Sequence, residues 1–147
     1  MLRILSLAFL LSASAGAAAA EELRTIDLVI AGQKLVAEVT ATPTTRTTGL
    51  MNRFSLKPDH GMLFVFPEPQ ALTFWMHDTY VPLSIAFIGA DGRIVNIEDM
   101  APRTETTHPS YGLALYALEM KKGWFADRGI AAGARVEGLD RAPKVRE

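Results

Sequence analysis

The chain has 147 residues, 49% of them apolar, and a formal net charge of −1 from 15 bases and 16 acids. Charges this evenly interspersed, with no basic block, argue against nucleic acid as a partner. The absence of cysteine excludes disulfide staples, thiolate catalysis and cysteine-ligated zinc.

Met1-Leu2-Arg3 gives a positive start, Ile4 to Leu11 an apolar core, and the small residues ending Ala17-Ala18-Ala19-Ala20 a peptidase site before Glu21 and Glu22. These are the three regions of a secretory signal peptide, so residues 1–20 are expected to be cut off after Ala20 and the protein to be periplasmic or secreted. A retained anchor is the competing reading. A membrane span needs about 20 strongly apolar residues, whereas the leucine-rich part here stops at Leu11, and no second run of that length follows. Residues 21–147 are therefore expected to form one domain with no membrane span, carrying 16 acids against 14 bases once Arg3 is removed.

In chain order, Thr25–Ile30 and Lys34–Val39 alternate apolar and polar residues around Ala31-Gly32-Gln33, which predicts a hairpin with one apolar face. Thr42-Pro43 is a helix-start signal, and a helix of about 8 to 10 residues is expected to run toward Met51. Its threonines and Gly49 make it a poor helix that only tertiary contacts can hold. Met62-Leu63-Phe64-Val65-Phe66 reads as a strand buried on both faces at the centre of the core. Val81–Ile88 and Arg93–Ile97 flank Gly89-Ala90-Asp91-Gly92, and the Asp-Gly pair predicts a hairpin turn with both positions at positive φ. A surface loop is expected over 101–109 and a strand over 113–120. A helical turn should follow over 122–128, closed by Gly129, then a short strand at Arg135-Val136-Glu137 and a frayed charged tail from about Arg141. The fold class expected is α+β: a compact, strand-rich single domain, with an antiparallel or mixed sheet or small barrel and one or two short helices.

Several blocks follow one another in the order of a known pattern: Gly49-Leu50-Met51-Asn52-Arg53, Gly61 to Phe66, Phe74 to Leu83, Gly92-Arg93-Ile94-Val95 and Leu118-Glu119-Met120. Over roughly residues 35 to 137 the chain resembles the uncharacterised family called domain of unknown function 192. The resemblance implies a compact strand-rich domain, often exported, with no assigned reaction or cofactor. It places the family's hallmark positions on Arg46, Gly49, Arg53, Gly61, Trp75, Met76, Thr79, Pro82 and Glu119. Two positions depart from the pattern: Asp78 stands where the family usually has Asn, and Ser84 where it usually has Asp. The second departure counts against any mechanism needing a carboxylate at position 84.

The chemistry-bearing residues concentrate where Trp75-Met76-His77-Asp78-Thr79 leaves a strand, the place where a scaffold presents functional groups. An extended chain puts Trp75, His77 and Thr79 on one side. Packing of Trp75 and Met76 in the core, with Asp78 and Thr79 capping a turn, is the plainer alternative. Arg46 and Arg53, seven apart, would share a helix face and could clamp an anion, or each could pair with an acid such as Glu119 or Asp78. The leading expectation is an exported binding module whose pocket, lined by Arg46, Arg53, Trp75, His77, Asp78 and Glu119, receives a small anionic ligand or a peptide end. Two alternatives stand beside it. One is an envelope hydrolase using Asp78, Glu119 and His77. The other is a copper or other metal protein drawing on His60, His77, His108 and Met51, Met62, Met76, Met100 and Met120, although no two of these form a tight ligand motif and no metal residues are assigned. A Ser84-His77-Asp78 triad lacks a nucleophile elbow. No motif calls for a cofactor, and an envelope protein is the other conceivable partner.

Overall fold

The computed structural model describes residues 22–145, so the expected leader at 1–20 lies outside the described residues. Strand β1 (Thr25–Ile30) and strand β2 (Gln33–Thr40) form the predicted hairpin, with Ile30 opposite Gln33. Ala31 and Gly32 take φ of 49° and 77°, the double left-handed turn whose twist suits paired strands. Helix α1 (Pro43–Thr48) is shorter than expected. Thr42 and Thr45 cap it reciprocally, each hydroxyl accepting the other's backbone N–H at 3.2 Å, and Gly49 ends it at φ 46°. Thr47 and Thr48 turn their hydroxyls back to the carbonyls of Pro43 and Thr44, a local bonding that weakens a helix interior.

Strand β3 (His60–Gln70) pairs parallel with β2 through residues 60–64. As predicted, Met62 to Val65 are buried on both faces. Strand β4 (Thr73–Phe74) leads to β5 (Leu83–Ile88), buried at every position, which forms a hairpin with β6 (Ile94–Met100). The turn differs from the expected one, because only Gly92 has positive φ. Asp91 instead accepts the N–H of Arg93 with its own carboxylate at 3.0 Å.

Within the expected loop over 101–109, β7 (His108–Pro109) pairs with β4 and carries a buried His108. Strand β8 (Ala114–Lys121) lies between β3 and β5, a 3₁₀ turn at Ala126–Arg128 ends at Gly129, and β9 (Val136–Glu137) pairs with β1. From Arg141 to Val145 the chain stays against the domain: Arg141 donates to the carbonyl of Asp27 at 3.0 Å, and Val145 packs on the core.

The main sheet has seven strands in the order β6-β5-β8-β3-β2-β1-β9, all antiparallel neighbours except β2 and β3. It curls into a half-barrel. Gly133 and Val136, just before and at the start of β9, donate across to Ile94 and Gly92 at the other edge, so both edges are engaged. The fold is mostly β rather than α+β, since the six residues of α1 are the only α-helix among the described residues. The helix-start signal at Thr42-Pro43 was real, but Gly49 stops the helix before it becomes a packing layer.

Two apolar cores cover the two faces of the sheet. One collects Leu28, Leu35, Leu63, Ile88, Leu118 and Phe125, and the other collects Met62, Phe64, Met76, Ile85, Phe87 and Ala117. The second face is closed by the segment after α1, through Leu50, and by the segment between β4 and β5, through Met76 and Val81. The space between those two covers is where the candidate site lies.

Candidate functional site

The segment leaving β4 is held by its backbone. Met76 donates to Thr104 at 3.1 Å, Thr79 donates back to Met76, and Asp78, at φ 50°, accepts the N–H of Asn52 at 2.9 Å. Met76 is wholly buried, while Trp75 stays 47% exposed. The rings of Trp75 and His77 stack at 4.8 Å and 20°, but the chain turns at His77-Asp78 instead of staying extended, so the expected alternation does not carry on to Thr79, which is buried. His77 also faces Glu105 at 3.3 Å and Asp78 at 3.4 Å.

Beside Trp75 opens a hollow of about 420 Å³ between α1 and the sheet, walled by Phe64, Phe66 and Phe74 and reached by Arg46, Trp75 and Glu119. Arg46 donates to the carbonyl of Val65 at 3.1 Å and lies over the Phe66 ring, 5.3 Å from its centroid. Glu119 is on β8, with Met62 opposite on β3 and Ile85 opposite on β5. Paired residues share a face, so its carboxyl stands among the apolar side chains of the second core. It is only 4% exposed and makes no hydrogen bond or ion pair with any described residue. Burial without a counter-charge pushes it up to about 8, because the charged form loses more hydration than the neutral one.

Of the six candidate residues, Arg46, Trp75 and Glu119 come together around this hollow. Arg53 does not join them. The helix ends at Thr48, so seven-residue spacing no longer implies a shared face. Arg53 instead grips Glu38 with both arms at 2.6 Å beside a neighbouring hollow, separated from the first by Gly49 and Met51. That bond raises the guanidinium pKa further. His77 and Asp78 flank the outer edge of the Trp75 stack and do not line the hollow, so Asp78, Glu119 and His77 are not assembled as an acid–base set.

The histidines lie on separate elements, and Met62, Met76, Met100 and Met120 are all buried in the cores. Among the described residues no three His, Asp or Glu side chains are grouped to hold a metal ion. Sequence reading missed the aromatic wall of Phe64, Phe66 and Phe74, the first two of which were expected as core strand residues. It also missed the isolation of Glu119, although a lone acid between Leu118 and Met120 in an apolar strand was the available signal.

Ser84 lies on the opposite face of the sheet from Glu119, since side chains alternate along β5 and Ile85 opposes Glu119. Its hydroxyl donates to Asp99 at 2.5 Å and accepts the N–H of Gly123 at 2.9 Å. The departure at this position therefore leaves the hollow untouched. Removing the hydroxyl leaves the half-buried N–H of Gly123 without its acceptor and returns the exposed Asp99 carboxylate to water, so Ser84→Ala is expected to cost about 1 kcal/mol. Urea unfolding measures this, and an unchanged midpoint would show that water replaces both bonds.

No curated protein matches the chain. Among the solved structures similar to it are two that are each 35% identical. One, from Sinorhizobium meliloti 1021, is described as a putative transcription regulator; it has a TM-score of 0.76 over 80% of this chain and 96% of its own. The other, a protein of unknown function from Novosphingobium aromaticivorans DSM 12444, has a TM-score of 0.73 over 79% and 86%. The model of one family, described as "Uncharacterized ACR, COG1430", matches residues 26–138, and with these structures sharing its fold the chain belongs to that family, DUF192.

Proposed function

We propose that the protein is an exported binding module and that the hollow between α1 and the sheet receives a small anionic ligand or the end of a peptide. The observation that carries this reading is the convergence of Arg46, Trp75 and the unpartnered Glu119 on one apolar-walled space. Binding pockets combine such walls with a few polar groups that fix orientation. A guanidinium beside the opening recognises carboxylate or phosphate, and a half-exposed indole offers a flat apolar contact. A buried polar group without a partner costs stability, which is understandable where a ligand supplies the partner.

The test is a thermal-shift screen of carboxylates, phosphates and short peptides. A ligand at one hundred times its Kd stabilises by about 2.7 kcal/mol, which raises Tm by roughly 10 °C in a domain of this size. Arg46→Ala is expected to remove most of that rise. No shift with any of these compounds contradicts the reading. The export half is checked by the mass of the protein recovered from outside the cytoplasm. A chain beginning at Glu21 supports it, and a cytoplasmic chain retaining residues 1–20 contradicts it.

A further inference from the structure

We infer that the ligand of this hollow is a zwitterion, an amino acid or dipeptide whose ammonium docks on the Glu119 carboxylate while its own carboxylate meets the Arg46 guanidinium. The inference rests on the binding role proposed above and narrows it to one ligand chemistry.

A guanidinium and a carboxyl that an incoming ammonium would ionise reach the same hollow from different levels of β3. The Arg46 guanidinium is fixed at the Val65 carbonyl, whereas Glu119 stands opposite Met62. Three residues of strand separate those levels by about 10 Å. A ligand that bridges them needs an ammonium and a carboxylate at its two ends, as an amino acid or a dipeptide has. The guanidinium need not be otherwise unengaged, because its five donors can serve several acceptors at once. Phe64 and Phe74, edge to face at 4.9 Å, give the ligand's apolar body a wall, and aromatic faces tolerate a cation nearby.

Among the described residues no cation pairs with Glu119: Lys121, two residues further along β8 on the same face, is exposed. The cross-strand neighbours of Glu119, Met62 and Ile85, are apolar. One strand further out on the same face, Glu38 holds Arg53 to itself on one side and Glu98 adds a second acid on the other. A purely anionic ligand would leave this carboxyl with no opposite charge, as it is now. An ammonium gives it both a counter-ion and a donor, and the displacement of the carboxyl up to about 8 is the signature of a site built without one.

The test compares the dipeptide Leu-Phe with N-acetyl-Leu-Phe and Leu-Phe amide by titration calorimetry at pH 7. On the unsubstituted protein, acetylation and amidation are each expected to weaken binding at least tenfold. On Glu119→Gln, acetylation no longer matters. On Arg46→Ala, amidation no longer matters. If the acetylated and free dipeptides bind equally to the unsubstituted protein, the zwitterion inference is overturned while an anion-binding role stands. If neither these compounds nor any anion in the thermal-shift screen binds, both readings fall.

Discussion

Glu119→Leu is expected to melt about 10 °C above the unsubstituted protein at pH 8.5, and to lose the pH dependence that this carboxyl imposes. In the folded chain the carboxyl holds its proton up to about 8, against 4.5 ordinarily. Between those values the folded state binds more protons than the unfolded one, so stability falls as pH rises. The contribution is intact below 4.5, is lost progressively across the window, and above about 8 leaves a charge buried without a partner. Each unit of displacement is worth about 1.4 kcal/mol, so the whole amounts to a few kcal/mol. Leucine fits the apolar surroundings supplied by Met62 and Ile85, and replacing a buried charge with a well-packed apolar side chain is often stabilising. Melting curves at pH 5, 7 and 8.5 decide the matter. A leucine variant no more stable than the parent at pH 8.5 would mean that Glu119 is hydrated or paired after all. A residue that costs stability at the wall of a hollow fits the general pattern of functional sites breaking local rules.

The second large effect is expected at Gly61. It lies on β3 between Ala37 of β2 and Met120 of β8. A β-carbon placed there would press into the backbone carbonyl of Glu119 and the sulfur of Met120, closer than any ordinary contact. The sulfur end of a methionine can move, but a carbonyl in the middle of a sheet cannot. Gly61→Ala is therefore expected to cost about 3 kcal/mol or more, at the upper end of overpacking effects. It should also loosen the pairing that holds Glu119 in place. Urea unfolding measures the loss. A change under about 0.5 kcal/mol, the range of neutral surface substitutions, would show that β3 and β8 can separate at this point without penalty.

Much of the sheet was legible because its strands announce themselves by alternation or by continuous apolar runs. Ile26, Leu28 and Ile30 mark a strand with one buried face, and Met62 to Val65 mark one buried on both. The helix was legible only at its start, where Thr42 and Pro43 act locally. Its end was set at Gly49, which takes positive φ and where a β-carbon would meet the Phe64 ring. What sequence could not convey is which side chains converge. Arg46 and Arg53 look equivalent along the chain, yet the end of α1 between them sends one to the Val65 carbonyl and the other to Glu38. Trp75 and His77 stack across a turn where an extended segment was expected, and the approach of Glu119 to the same space depends on β8 inserting between β3 and β5. The chain pairs β3 and β5 with a strand some thirty residues downstream of β5, and no periodicity reports that insertion.

All of these readings depend on the state of one carboxyl, and its side-chain carbon can be followed directly. A ¹³C NMR titration of uniformly labelled protein, with the Glu119 signal assigned by its disappearance in Glu119→Gln, is predicted to show a midpoint near 8. A midpoint near the ordinary 4.5 would contradict the account, because Glu119 would then be a solvated or paired acid with no need of a ligand.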